Sequence, residues 1–130
     1  MQQIAQKDAG PVRLKSRDLY CHGDVAGAIA VQRSLIEATR EDLHPGDYLF
    51  LGSMLSISGD FAAAKTLALE AHALWPEEPQ FVGIIGICHA RLHQWNEAES
   101  WLTRAIASTP HNANLHDCIT QVYGELDDLD

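Results

Sequence analysis

An all-α solenoid is the fold class this sequence predicts, and three observations predict it. Gly52 and Gly86, Ala64 and Ala98, Ala71 and Ala105, and Pro76 and Pro110 are each 34 positions apart, the self-similarity that stacked repeats impose on a chain. Apolar or small residues recur at spacings of three and four in Tyr48, Leu51, Gly52, Leu55 and again in Val82, Ile85, Gly86, His89, which puts one mainly apolar stripe on a helix face. Finally, no run alternates apolar and polar residues long enough for a strand, and no Asn-Gly or Asp-Gly turn joins β-branched stretches.

Taken in order, residues 1–8 read as an N-terminal tail and residues 9–44 as a first helix-turn-helix unit. That unit carries Gly23, Asp24, Val25 and Ala28, but Ala28 to Ala64 is 64 − 28 = 36 positions, so the loop around 40–45 is expected to hold about two extra residues. Units two (45–78) and three (79–112) are regular. In each, a small residue (Gly52, Gly86) precedes a polar turn (Gly59-Asp60, His93-Gln94), a bulky residue (Phe61, Trp95) and an alanine (Ala64, Ala98). The returning helices present small faces, Ala64, Leu67, Ala68 and Ala71 or Ala98, Leu102 and Ala105. Gly52 and Gly86 are expected to mark the closest approach of paired axes, since a mid-helix glycine otherwise costs ~1 kcal/mol relative to alanine. Pro76 and Pro110 end the second helices, because proline lacks the amide and disfavours helix in the residue before it. Residues 113–126, with Leu115, Ile119, Val122 and Tyr123 on one face, read as a capping helix, and 127–130 as an acidic tail.

This pattern resembles the tetratricopeptide repeat family over about residues 9 to 126. Tyr48, Leu51, Gly52, Leu55, Gly59, Phe61, Ala64, Ala71 and Pro76 stand at the family's signature places in unit two. Unit three matches through Val82, Ile85, Gly86, Trp95, Ala98, Ala105 and Pro110, and departs at His89 (usually aromatic) and His93 (usually glycine). Unit one keeps Leu19, Gly23, Asp24, Ala28 and Leu35, but has Lys15 and Ser16 where a large apolar and a small residue are expected, and Arg40 for the proline. The resemblance implies a right-handed solenoid of about three units whose first helices line a concave groove that receives a peptide or helix from another protein, in an adaptor or chaperone and not an enzyme. Its groove-lining places fall on Arg13, Arg17 and Tyr20; Leu49, Phe50, Ser53 and Ser56; Gly83, Ile87 and Ala90; and Asp117 and Gln121. The lysine and asparagine clamp used by relatives that hold acidic chaperone tails is missing, its places being taken by residues such as Phe50, Gly83 and Gln80. An apolar segment is therefore the expected ligand, anchored on Leu49, Phe50 and Ile87, with Arg13 and Arg17 orienting an acidic end. A narrower resemblance is to the small acidic chaperones of type III secretion, which hold a translocator or needle-type subunit.

Composition agrees and excludes several classes. The chain has 130 residues, 46% of them hydrophobic, enough at this length for a core without metals or disulfides. Nine basic against 18 acidic residues give a net charge of −9, which repels phosphate backbones and anionic lipid, so neither nucleic acid nor a membrane is an expected partner. No stretch approaches the length of a membrane span and residues 1–10 lack the apolar centre of a signal peptide, so the expected setting is cytoplasmic. Cys21, Cys88 and Cys118 match no zinc or redox framework and read as free thiols. The ends differ in sign, 4 − 1 = +3 over residues 1–17 and 1 − 7 = −6 over 97–130, which makes head-to-tail self-association a further possibility beside a plain solvated tail.

Chemistry-bearing candidates have structural readings beside them. His89 and His93 are four apart on a helix and could share a metal, the basis of an alternative metal-binding or enzyme-associated reading. Two ligands do not close a zinc site, however, and packing of His89 with His93 at the turn is the preferred account. No cofactor is implied. Asp24 and Asp60 follow turn glycines and are expected to cap helices, and Glu97 and Glu99 suit a helix start. Trp95 takes an aromatic core place. Trp75 and Trp101 fall where the family tolerates polar residues, leaving two readings: partial burial against neighbouring helices, or a convex contact patch.

Overall fold

A computed structural model describes residues 10–38 and 43–128. The expected tail 1–8, the first half of the loop around 40–45 expected to hold the insertion, and residues 129 and 130 lie outside the described residues. The order is α1 (Gly10–Cys21), α2 (Val25–Ala38), α3 (Pro45–Ile57), α4 (Phe61–Leu74), α5 (Pro79–Arg91), α6 (Trp95–Ser108) and α7 (Ala113–Asp128), with no strand among the described residues. Second helices α2, α4 and α6 begin at positions 25, 61 and 95, offsets of 36 and 34. Six positions separate α2 from α3, against four between α4 and α5 and between α6 and α7, so the two extra residues fall in that first connection. The last helix runs through Asp127 and Asp128, which the sequence reading assigned to the tail.

Each pair closes through the same turn. One residue adopts the left-handed conformation, Gly23 (φ 88°), Gly59 (φ 84°) or His93 (φ 61°). The amide after it reaches back five residues: Asp24 to Leu19 O at 2.8 Å, Asp60 to Leu55 O at 2.9 Å, Gln94 to His89 O at 2.8 Å. Glycine takes this geometry without steric cost; His93 takes it with its imidazole stacked on Trp95, centroids 5.0 Å apart. The returning helices α2 and α4 are capped as expected, with Asp24 Oδ1 accepting from the Gly27 amide (2.9 Å) and Asp60 Oδ1 from the Ala63 amide (3.2 Å). Helices α4 and α6 stop at Leu74 and Ser108, one residue short of the position before each proline.

The core runs the length of the array. Ala28, Leu51, Met54, Leu55, Ala64 and Cys88 bury one stretch; Tyr48, Ala71 and Phe81 the next; Val82, Ala98, Leu102, Ala105, Leu115 and Val122 the last. Trp75 is half-buried in the middle stretch, edge-on to Tyr48 at 5.3 Å and stacked on Phe81 at 6.1 Å. Trp95 and Trp101 are also half-buried against the last stretch.

One contact recurs in three versions. With offsets of 36 and 34, Ser16, Gly52 and Gly86 are equivalent on the first helices, and Gln32, Ala68 and Leu102 on the second. In unit one the place is polar: Ser16 and Gln32 are both buried, and the Ser16 hydroxyl donates to Gln32 Oε1 at 2.9 Å. In unit three it is tight, since a Cβ on Gly86 would sit 2.8 Å from Leu102 Cγ and 3.1 Å from its backbone nitrogen. Unit two is loose: a Cβ on Gly52 would meet only Leu67 Cδ2, at 4.0 Å. The expectation that both glycines mark close approaches therefore holds for Gly86 and fails for Gly52. The helix backbones themselves differ: the returning backbone comes within 3.1 Å of that point in unit three, whereas in unit two no backbone atom of the returning helix lies within 4 Å of it.

Candidate functional site

The first helices bring three of the expected groove residues together at the α1–α3 junction. The Arg17 guanidinium lies over the Phe50 ring, 4.8 Å from its centroid, and Tyr20 meets the same ring edge-on at 5.8 Å. Arg17 is exposed and both rings are half-buried, so an aromatic and cationic surface remains open to solvent. Farther along, Leu49 is half-buried beside the Tyr48–Phe81 cluster, Ser53 is exposed, and Ile87 is half-buried against the last core stretch. Ser56 is half-buried next to the Cys88 thiol. Asp117 and Gln121 are exposed on α7.

Three expected groove residues are placed differently. Gly83 is buried under α7, where a Cβ would lie 3.2 Å from Leu115, and Ala90 is 7% exposed inside the last core stretch. Neither offers open surface, because α7 and α6 close over them. Arg13 is engaged within the fold: its Nε donates to Asp47 Oδ1 at 2.8 Å and its Nη2 to Oδ2 at 2.9 Å.

That pair belongs to a polar network the sequence reading did not foresee. Asp47, buried in the first turn of α3, also accepts from the His44 amide (3.1 Å), and its backbone carbonyl accepts from Gln32 Nε2 (2.9 Å). Gln32 in turn accepts from Ser16, so α1, α2 and α3 are tied through side chains. Burial alone would raise the Asp47 carboxyl, but the Arg13 and His44 hydrogen bonds and the guanidinium charge outweigh it and hold the group below its ordinary value. Two signals were present in the sequence: Gln32 interrupts the apolar stripe of α2 opposite Ser16, and Asp47 stands three residues after His44, where an acid closes a helix start.

Of the candidate metal pair, His89 is engaged through one ring nitrogen, and His93 stands outside the helix at the turn. Lys65 Nζ donates to Gln94 Oε1 at 3.0 Å, and His89 Nδ1 lies 2.7 Å from the same oxygen, so Nδ1 carries the proton and donates. His93 stacks on Trp95 at the turn. Among the described residues no group of three His, Cys, Asp or Glu side chains converges. Burial pushes the Cys88 thiol up to about 11 against the pull of Lys65 and Ser56, and raises Cys118 as well. Such thiols carry little thiolate at neutral pH and make weak nucleophiles. No helix of the described residues is long and apolar enough to cross a membrane.

A cavity of about 370 Å³ opens between α2 and α4, floored by Leu51 and Leu55 and walled by Ile36, Ala63 and Leu67. Most of its lining comes from the second helices, and none of the expected groove residues is part of it.

No protein-family model matches the chain, and neither does any curated protein. Solved structures do. The C-terminal TPR-containing domain of a Plasmodium falciparum FK506-binding protein superposes with a TM-score of 0.85 at 12% identity, over 99% of this chain and 95% of that one. The first TPR domain of Spaghetti (RPAP3), bound to the HSP90 peptide SRMEEVD, gives 0.82 at 18% identity, over 94% and 95%. PcrH from Pseudomonas aeruginosa gives 0.68 at 18%, over 91% and 88%, and is matched also in its complex with the chaperone binding region of PopB. Three helix pairs closed by left-handed turns, an added last helix and these superpositions agree: the chain has the right-handed, all-α solenoid fold of tetratricopeptide repeats.

Proposed function

We propose that this chain is a non-enzymatic protein-binding module, an adaptor or holding chaperone of the cytoplasm, that takes an extended or helical segment of a partner on the face of its first helices. The carrying observation is the open cluster of Arg17, Tyr20 and Phe50. Phe50, Leu49 and Ile87 are each already half-buried, so covering what remains exposed would contribute roughly 1 kcal/mol each, about half the value of a full burial. With Arg13 neutralised by Asp47, Arg17 is the residue of the pair left to meet an acidic group on the segment. Support for the general mode comes from the SRMEEVD and PopB complexes of the similar folds.

The test is recovery of a partner from native extract by wild-type protein, Arg17→Glu and Phe50→Ala, each checked for an unchanged melting curve. Loss of the same partner from both variants supports the reading; undiminished recovery by both refutes it. A second reading, a chaperone for a type III translocator or needle-type subunit, is favoured by the PcrH likeness. It predicts that the recovered partner is an exported subunit held through an apolar segment, and recovery of acidic carboxyl-terminal tails would count against it.

A further inference from the structure

The repeat itself shows what belongs in the cavity between α2 and α4. Helices α2, α4 and α6 share one register, so each position of the first junction has an equivalent in the second. Leu67, a wall of the cavity, corresponds to Trp101, 34 positions on, and Ile36 corresponds to His72, 36 positions on. In the second junction the Trp101 indole occupies the niche, edge-on to the His72 ring at 5.7 Å, with the Arg104 guanidinium over it at 4.6 Å. The first junction lacks both the ring and the cation: leucine stands for tryptophan, Glu70 stands for Arg104, and about 370 Å³ is left open.

The rim is charged to match that deficit. Glu37 and Glu70 are both exposed at the mouth, with Arg33 as the one basic residue among the cavity-lining side chains. A ring entering beneath two carboxylates and one guanidinium is best accompanied by a positive charge. The volume lies toward the low end of ligand pockets, about 300–1,000 Å³, which suits one aromatic side chain and part of its backbone. We propose that this cavity is a second recognition site, separate from the Arg17–Phe50 surface, for an aromatic side chain of a partner polypeptide with a basic residue beside it. The partner's ring would take the place that Trp101 fills from within, and its cation the place of Arg104.

The probe is the capped dipeptide Ac-Trp-Lys-NH2, titrated at millimolar concentration into the full chain and followed by amide chemical shifts. Shifts are expected at Ile36, Ala63, Thr66 and Leu67, with Ac-Trp-Glu-NH2 weaker by about tenfold. Leu67→Trp should fill the niche, raise the melting temperature and abolish the shifts. Glu70→Arg, which copies the second junction without touching the core, should weaken the lysine probe and keep the proposal testable if the tryptophan variant misfolds. Phe50→Ala should change nothing here, which separates this site from the one proposed above. The proposal is overturned if the shifts map to Tyr20 and Phe50, if the two dipeptides or free indole bind equally well, if the shifts follow dilution of the protein as self-association would, or if Leu67→Trp binds like wild type.

Discussion

Alanine at two equivalent glycines should have opposite effects. In a helix interior Gly→Ala is worth ~1 kcal/mol in favour of the folded state. At Gly52 nothing opposes that gain, since the new methyl would touch only Leu67 Cδ2 at 4.0 Å. At Gly86 the methyl would meet Leu102 Cδ2 and Cγ at 2.8 Å and the Leu102 nitrogen at 3.1 Å. The side chain could rotate away but the backbone could not, so α5 and α6 must separate, an overpacking cost of ~2–3 kcal/mol. The net expectation is a gain of ~1 kcal/mol for Gly52→Ala and a loss of ~1–2 kcal/mol for Gly86→Ala, each kcal/mol moving the midpoint by about 3–5 °C in a domain of this size. Urea and thermal unfolding measure both. A double-mutant cycle sharpens the test, because Leu102→Ala removes the Cδ2 and Cγ contacts but leaves the backbone nitrogen at 3.1 Å, and so should relieve part but not all of the cost of Gly86→Ala in that background. Equal shifts of the same sign at the two positions, or zero coupling between 86 and 102, would refute the account of close approach.

Three further outcomes are expected. Asp47 titrates below its unfolded value, so its contribution is complete above about pH 4 and is lost as pH falls through the lower folded value. Asp47→Asn, which strips Arg13 of its counter-charge, should cost ~1–3 kcal/mol at pH 7 and flatten the acid limb of a stability profile measured by denaturant titration. His93→Val should destabilise by ~1 kcal/mol or more, because a branched side chain is strained at φ 61°, whereas His93→Gly trades the Trp95 stack for relief of that strain and should melt close to wild type. Alkylation at neutral pH followed by mass spectrometry should modify exposed Cys21 well before buried Cys88 with its thiol at about 11, and equal rates would contradict the described burial.

The fold was legible because it is written three times. Turn glycines and capping aspartates recur 36 positions apart in the first two units and helix-ending prolines 34 apart in the last two, and each reports a local requirement that neighbours do not alter. The site was less legible because side chains at equivalent positions meet different partners. Gly52 and Gly86 look alike until the backbone of the returning helix is placed opposite them. Arg13 reads as a groove cation until Asp47, 34 positions away, is brought to 2.8 Å. Gly83 and Ala90 read as groove floor until α7 and α6 cover them. The open cluster of Arg17, Tyr20 and Phe50 was assembled from family placement alone, since periodicity gives the face of a helix but not the contact across two units.

The placement of the three tryptophans divides what different spectroscopies can see. Trp75, Trp95 and Trp101 lie on or beside α4 and α6, and only Trp75 reaches back, to Tyr48 on α3. Emission is therefore silent about α1 and α2, whereas far-ultraviolet dichroism counts their residues in full. The first hairpin packs Ala28, Leu19 and Val25 against the Leu51–Leu55 stretch and adds the Arg13–Asp47 ion pair and the Gln32 hydrogen bonds. As the hairpin whose contact with the array depends most on polar groups, it is the segment that water can open first. A dichroism midpoint below the emission midpoint in one denaturant series would read out that opening directly, with no label added.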